Sequence, residues 1–435
     1  QEIELLLKKE EKIEITPSIR PFEPIAKGIE SKVKILRNPG ASVKKEMAKD
    51  ITETLIDRFN KLRRIIARKA GINVNEINKA IKRDNDKLTV VGIINNKKEV
   101  KKGVIIEVED LTGKIVCYVD RDNQGVYRKV SVLPLDCVVG LNVRRIKRGF
   151  YYIEDIILPE IRRETSSESD EEVYLVLTSD LHVGSNMFLK EAFKRFLNWL
   201  NGKYGTPREL EIASRVKYLV IAGDIVDGVG VYPDQELQLE EIDVKKQYEQ
   251  VSKLVEQIPE YIEIIILPGN HDATLPVLPQ PPIWKEYAER LYDLPNVHMV
   301  GNPVNVSFHS VNVYSFHGVS LEDMLTYVPG LRKEKISEAM KILLMIRHIC
   351  PMYGGKAKIL PRKRDDLVIS TQPDIFHAGH IHINDHQRYN GTLIINSGTW
   401  QAQTDYQRET GLIPTPGRVP VVNLAKNELR ILSFI

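Results

Sequence analysis

Residues 173–182 read Val-Tyr-Leu-Val-Leu-Thr-Ser-Asp-Leu-His, an apolar run that opens into a polar tip carrying Asp180 and His182. A short continuous apolar run bounded by turn formers is the pattern of a strand buried on both faces. The pattern recurs downstream. Tyr218–Ile221 runs into Ala222-Gly223-Asp224-Ile225-Val226-Asp227-Gly228, and Ile262–Leu267 into Pro268-Gly269-Asn270-His271-Asp272. Asp374–Phe376 runs into His377-Ala378-Gly379-His380-Ile381-His382, and Asn312–Ser315 into Phe316-His317-Gly318. Strand, Gly/Asp/His loop and helix alternate to the end of the chain. This predicts an α/β layered domain over residues 173–435 with its ligands on loops at strand ends. The run Glu428–Ile435 is expected to close its sheet.

A dinuclear site for phosphoester hydrolysis needs oxygen and imidazole donors on rigid strand ends, one carboxylate able to bridge, and open positions for water and substrate. Asp180 and His182 project from one tip as an alternate-residue pair, and His380 and His382 repeat the device. Asp224 follows Gly223, which permits close approach, and is the natural bridge. Asn270 offers an amide oxygen and His317 an imidazole from a further direction. Any one of these motifs arises readily by chance. Five in order, each at an apolar strand end, do not.

Outward from this domain, Arg163–Glu172 (RETSSESDEE) has no apolar face and is expected to be an acidic linker over 163–172. Before it, Leu88–Asn95, Gly103–Asp110, Lys114–Asp120, Asp136–Arg144 and Tyr151–Leu158 read as five short strands. They predict an all-β barrel of the OB type over 87–162. Such a barrel binds single strands or spaces domains, and its aromatic supply (Tyr118, Tyr127, Phe150, Tyr151, Tyr152) is thin for a stacking platform. Residues 1–86 are expected to hold an irregular or edge segment, punctuated by Pro17, Pro21, Pro24 and Pro39, and one amphipathic helix over Lys44–Lys69. The helix ends in Lys61, Arg63, Arg64, Arg68 and Lys69. That cluster suits a solvated C-terminus, a phosphate contact or a partner-docking surface.

The chain has 435 residues, 42% hydrophobic and 28% charged, enough for two or three domains and too apolar for disorder. Its net charge of +3 is unevenly spread. Residues 1–160 carry 33 Lys+Arg against 24 Asp+Glu, the remainder 29 against 35, and every histidine lies at or after His182. Nucleic-acid attraction is therefore expected in the first part, and metal or acid–base chemistry in the second. Cys117, Cys137 and Cys350 are too scattered for a disulfide framework and fit buried thiols in a reducing, cytoplasmic setting. No apolar run spans a membrane, no signal segment opens the chain, and Gln1 in place of Met leads us to expect a preceding region.

The tips D-x-H, G-D-x-x-D, G-N-H-D, a lone His and G-H-x-H resemble the calcineurin-like metallophosphoesterase superfamily over residues 173 to about 400. The resemblance implies two sheets flanked by helices and two divalent ions, Mn²⁺ first, with Fe or Zn also compatible. Asp180, His182, Asp224 and His382 would hold one ion; Asp224, Asn270, His317 and His380 the other. His271 would bind the phosphate and protonate the leaving oxygen, Asp272 would orient that imidazole, and Asp227 would position a ligand. A barrel preceding such a domain is similar to the small subunits of replicative DNA polymerases. Gly228–Pro233 and Leu278–Pro282 resemble segments of that group. With every ligand position filled, the chain resembles the archaeal family D members. This implies a 3′→5′ proofreading exonuclease, a large catalytic polymerase subunit and a DNA primer 3′ end as partners, and a sliding clamp as a further one. The same residues leave open a metallophosphatase acting on nucleotides, or a non-catalytic scaffold.

Lys356, Lys358, Arg362, Lys363 and Arg364 form a basic stretch before the last motif strand, either a solvated face or a DNA phosphate contact. Trp400 is expected in packing rather than base stacking. His298, His309, His348, His377 and His386 fall outside the ligand motifs and read as structural, with His377 and His386 flanking the last tip. Pro279, Pro281 and Pro282 order a loop at the site or meet a partner.

Overall fold

The computed structural model describes residues 22–41, 49–71, 75–82, 87–162 and 167–435. Strand β1 (Val33–Arg37) is followed by helices α1 (Ile51–Ala70) and α2 (Ile77–Lys82). Asp50 caps α1 by accepting from Thr52 N at 2.7 Å, and Gly71, left-handed at φ 63°, ends it. The helix therefore starts later than its apolar spacing suggests, and residues 44–48 of the expected helix lie outside the described residues. Phe59, Leu62 and Ile66 form its buried stripe.

A closed barrel comes next: β2 (Lys87–Val100), β3 (Gly103–Glu109), β4 (Lys114–Asp120), helix α3 (Gln124–Ser131), β5 (Val138–Lys147) and β6 (Phe150–Ile157). The strand order is β2-β3-β4-β6-β5, closed by β2 against β5, and only the β4–β6 pair is parallel. All five expected strands are present; α3, which buries Val126 and Val130, was not anticipated.

The rest of the chain runs β7 (Tyr174–Thr178), α4 (Lys190–Leu200), α5 (Pro207–Ser214), β8 (Val216–Ala222), α6 (Val244–Val255), β9 (Glu263–Leu267), α7 (Lys285–Asp293) and β10 (Val297–Met299). It continues through β11 (Val304–Phe308), β12 (Val311–Ser315), α8 (Ser320–Tyr327), α9 (Ile336–Ile346), β13 (Ile375–Ala378), β14 (Asn384–Tyr389), β15 (Thr392–Ser397), α10 (Asp405–Glu409), β16 (Arg418–Asn423) and β17 (Glu428–Ser433). Two six-stranded sheets result, ordered β10-β9-β8-β7-β16-β17 and β1-β11-β12-β13-β15-β14. Leu175, Leu177 and Val220 of the first pack with Val306, Val313 and Ile395 of the second. Burial on both faces explains why β7 and β8 are almost wholly apolar, with Lys217 the one charged residue, donating to the Ala26 carbonyl. Helix α4 covers the first sheet's outer face with Phe193, Phe196 and Trp199. On the other side Leu321 of α8 and Leu343 of α9 share one apolar cluster with the barrel residues Ile106 and Leu141.

Two boundaries differ from the expectation. β1 pairs antiparallel with β11, so this part of residues 1–86 is an edge strand of the layered domain. Residues 163–166 of the expected linker, like residues 1–21, lie outside the described residues. The remainder of the linker is tied down: Ser167 N donates to Asp374 Oδ1 at 2.7 Å and Ser169 N to the Leu424 carbonyl at 2.9 Å. Among the described residues no helix is long and apolar enough to cross a membrane. All three cysteines are buried free thiols, and burial pushes Cys117 and Cys137 up to about 12.

Candidate metal centre

The five polar tips follow the ends of β7, β8, β9, β12 and β13 and meet at one end of the paired sheets. Five residues on them, Asp180, His182, Asp224, His380 and His382, have φ between 50° and 69°. Residues with a Cβ seldom adopt this left-handed region, and holding one there costs of order 1–3 kcal/mol. Surrounding packing must therefore impose these orientations. Gly223 makes part of that packing possible: a Cβ there would lie 2.6 Å from Gly269 N and 2.7 Å from His317 Nδ1.

Asp180 is fully buried. Its Oδ2 accepts from Ser179 Oγ and, at 2.8 Å, from His380 N, whereas its Oδ1 has no hydrogen-bond partner among the described residues. His382 Nε2 lies 3.4 Å and His182 Nε2 3.9 Å from that Oδ1, and the two ring nitrogens are 3.1 Å apart. On the other side Asp224 Oδ2 is 3.1 Å from His317 Nε2, which is 3.0 Å from Asn270 Oδ1. His380 completes this group. Asp224 Oδ2 also stands 3.9 Å from His182 Nε2, so one carboxylate adjoins both clusters. Burial pushes the His182 imidazole down, but Asp227, Asp224 and Asp180 outweigh it and raise it to about 9; Asp224 does the same for His317. Two clusters that each set a buried carboxylate among imidazole nitrogens, one of them with an orphaned carboxylate oxygen, fit divalent cations.

A further ring of residues holds these donors. His182 Nδ1 lies 2.9 Å from Asp227 Oδ1, His317 Nδ1 2.8 Å from the Ala222 carbonyl, and His382 Nδ1 2.8 Å from Gln407 Nε2. Gln235 and Gln401 each donate to the Asp227 carboxylate, at 2.9 and 3.1 Å. His380 Nε2 lies 3.2 Å from Glu322 Oε1, and Lys356 Nζ donates to Glu322 Oε2 at 2.7 Å. Sequence reasoning missed Glu322, Gln235 and Gln407, which belong to no motif. Gln401 follows Trp400 in sequence but carries no motif of its own.

His271 stands at the cleft wall, its Nδ1 2.7 Å from the Asp227 carbonyl and its Nε2 4.0 Å from Asp224 Oδ2. The Asp227 backbone, not Asp272, therefore orients this ring. Asp272 braces the loops instead, accepting from Gly269 N at 2.8 Å and Tyr248 Oη at 3.1 Å. Burial and the nearby Asp224 charge raise it to about 6.

The basic stretch does not form one surface. Arg362 is 1% exposed, paired with Asp366 at 2.9 Å and donating to the Pro39 carbonyl, which removes it from any DNA contact. Lys356 lines the cleft, Lys358 donates to the Gly355 carbonyl, and Lys363 and Arg364 are exposed. Trp400 packs against Phe193 and donates to Thr178 Oγ1. His377 is buried, which lowers it to about 3, and His386 is exposed. The cleft above the two clusters holds about 510 Å³ and is walled by Tyr232, His271, Glu322, Lys356 and Tyr406.

The family model for the B subunits of DNA polymerases alpha and epsilon matches residues 175–386. The DNA polymerase II small subunit of Pyrococcus furiosus is 43% identical over 383 residues, covering 87% of this chain and 62% of the relative. That of Pyrococcus horikoshii is 39% identical over 437 residues, covering 97% and 70%. The Methanothermobacter thermautotrophicus protein of the same description is 37% identical, covering 87% and 77%. The chain thus spans roughly two thirds to three quarters of the length of these relatives.

Proposed function

The chain belongs to the family of archaeal DNA polymerase II small subunits, and from that membership we propose that it is a metal-dependent phosphodiesterase that trims DNA 3′ ends for a large catalytic polymerase subunit. The observation that carries this reading is the buried Asp180 Oδ1, left without a hydrogen bond while His182 and His382 turn ring nitrogens toward it. A scaffold that only tethered a partner would have no use for an uncompensated carboxylate in strained backbone. We read the layered domain as calcineurin-like and the barrel as OB-type, on the strength of the two facing sheets and the barrel's strand order.

Asp180, His182, Asp224 and His382 would hold one divalent ion, and Asp224, Asn270, His317 and His380 the other, with Mn²⁺ the first choice. Such ions, when bound, supply Lewis acidity at the phosphoryl oxygens. This chain's own residues do the rest. The Asp227 carbonyl accepts from His271 Nδ1–H, which leaves Nε2 directed past Asp224. Burial lowers this imidazole, so Nε2 would first take up a proton, as from the attacking water, and then give it to the departing sugar oxygen. Asp227 holds the His182 ring through Nδ1, so that Nε2 faces inward. Tyr232 and Tyr406 give the cleft walls on which a terminal base can rest.

The test compares release of the terminal nucleotide from a 3′-mismatched primer with hydrolysis of p-nitrophenyl phosphate, both with Mn²⁺. Preference for the primer, lost in Asp224→Asn, supports the proposal. Preference for the small phosphate ester points to a phosphatase, and no hydrolysis of either, in the presence of the large subunit, to a scaffold.

A further inference from the structure

Residues from three separate segments bring unpaired cations to the end of the second sheet opposite the metal centre. On α1, Lys61, Arg64 and Arg68 follow one another at three and four residues and so share a helical face. Like charges at that spacing weaken an isolated helix by a few tenths of a kcal/mol, which offsets what Arg68 gains from the helix dipole in the last turn. Arg64, Arg364 and Lys61 line one cleft of about 470 Å³. Arg68, Lys69 and Arg162 line a second of about 470 Å³, and Ser370 borders both. Arg64, Arg68, Arg162 and Arg364 are exposed and make no ion pair among the described residues.

The acids at these clefts are already satisfied. Asp57 pairs with Lys61 at 2.5 Å, Glu160 with Lys69 at 3.2 Å, and Asp366 with Arg37 at 2.7 Å. Asp374 accepts the backbone amides of Ser167 and Asn312 at 2.7 and 2.8 Å. The four guanidiniums are therefore a surplus of positive charge, set along a groove made of two joined clefts. Arginine's planar fork matches phosphate oxygens in pairs. Asn312 and Asp374 stand at the starts of β12 and β13, whereas His317 and His380 follow their ends. At about 3.3 Å per residue, the groove lies roughly 15–20 Å from the metal centre.

We propose that this groove binds the phosphate backbone of DNA, at a distance from the hydrolytic cleft and independently of it. The site goes beyond the nuclease reading and does not rest on it. Its charge sits on surface arginines of the helix, the segment after β6 and the loop before β13, so it grips the strand without reading its bases.

The test measures binding of labelled single-stranded and duplex DNA to the full chain by fluorescence anisotropy, in EDTA, at several salt concentrations. For Arg64→Ala/Arg68→Ala/Arg364→Ala, the slope of log K against log salt is expected to shrink by about 2 for single strands and about 3 for duplex, with weaker binding at every salt. Lys363→Ala, on an exposed cation outside both clefts, is expected to leave the slope unchanged. A shrinking slope in one arm only assigns the groove to that form of DNA. A thermal midpoint equal to wild type shows that the triple variant is folded. An unchanged slope overturns the proposal. So does retained DNA binding with lost association to the large subunit, which would make the groove a docking site for an acidic protein segment. Because EDTA silences hydrolysis, either outcome stands apart from the fate of the nuclease reading.

Discussion

Two buried polar clusters sit in this molecule, and they are built on opposite principles. Behind the barrel Arg58, 0% exposed, donates Nε to Asp365 Oδ2 at 2.7 Å, and His348 Nε2 lies 2.9 Å from the same oxygen. Arg58 Nη1 also donates to the Pro351 carbonyl, Cys350 N to His348 Nδ1, and Leu367 N to Asp365 Oδ1. One cation meets one anion and the imidazole is kept neutral, with Arg58 Nη2 the one guanidinium nitrogen left without a hydrogen bond among the described residues. The candidate metal centre is as deeply buried but is not closed: two ring nitrogens stand 3.1 Å apart, a carboxylate oxygen is orphaned, and five backbones lie in the left-handed region. Burying charge costs several kcal/mol unless it is compensated. The first cluster balances its charge with its own cation and joins α1, the barrel and the layered domain. The second leaves one carboxylate oxygen facing imidazole nitrogens without a hydrogen bond, an arrangement that suits a cation.

The largest effect expected from breaking this contrast is catalytic. His271→Ala removes the proton donor while sparing every proposed ligand, so hydrolysis of the 3′ end should fall by about 10²–10⁴-fold, with bound Mn²⁺ unchanged by elemental analysis. A parallel loss of metal would place His271 among the ligands instead. Next comes stability. Asp365→Ala strands Arg58 without its anion and should cost about 3–5 kcal/mol in denaturant unfolding, whether or not metal is present. Asp180→Asn at the centre should cost less. In EDTA it removes a carboxylate whose Oδ1 has no hydrogen bond and should destabilise by less than Asp365→Ala, while the gain that wild type shows on adding Mn²⁺ disappears. If Asp180→Asn is as damaging in EDTA as Asp365→Ala, the two clusters do not differ in kind.

A smaller effect follows from His348. Burial, with Arg58 beside it, lowers its imidazole to about 4. The unfolded chain therefore takes up a proton near pH 6.5 that the folded one refuses, and stability falls as pH drops from about 6.5 to about 4. The slope has a ceiling of roughly 1.4 kcal/mol per pH unit for one proton. Asp365, held well below the usual carboxylate range by His348 and Arg58 against the effect of burial, loses its contribution only as pH falls below about 4. Urea midpoints measured between pH 4 and pH 7 in His348→Gln should show a flatter dependence than wild type.

The two clusters also differ in how far the sequence discloses them. The candidate metal centre is legible because its donors sit on tips that directly follow apolar strands, so local pattern and spatial convergence coincide at Asp180, Asp224, His317 and His382. The Arg58–Asp365–His348 cluster has no such signature. Its members are separated by up to 307 residues and come together only through packing. The same blindness affected Arg362, a cation in a basic run that Thr54, Pro39 and Asp366 enclose. It likewise hid Glu322, which reaches His380 from α8 across 58 residues. The barrel's strands alternate cleanly and were readable. The segment holding β1 reads only as irregular or edge structure, because a strand's partner across a sheet leaves no local trace.

The smallest of these effects would sharpen the contrast at the rim of the centre, where it meets solvent. Glu322 takes the Nε2 side of His380 at 3.2 Å and is itself neutralised by Lys356. His380 and Lys356 together hold its carboxyl well below the usual range. A carboxylate at one ring nitrogen fixes the orientation of the imidazole and makes the other nitrogen a better donor. Glu322→Ala should therefore weaken Mn²⁺ binding by about 10–100-fold, measured by titration calorimetry, and chiefly at one of two sites. Lys356→Ala, which breaks only an exposed ion pair, should change affinity by less than about fivefold. If Glu322→Ala lowers both sites equally, the carboxylate acts through the general field of the cleft. If it lowers one, the closed cluster and the open one share a device: in each, a carboxylate sets the state of a histidine. In the first that histidine stays neutral beside Arg58, and in the second it is held ready for a cation.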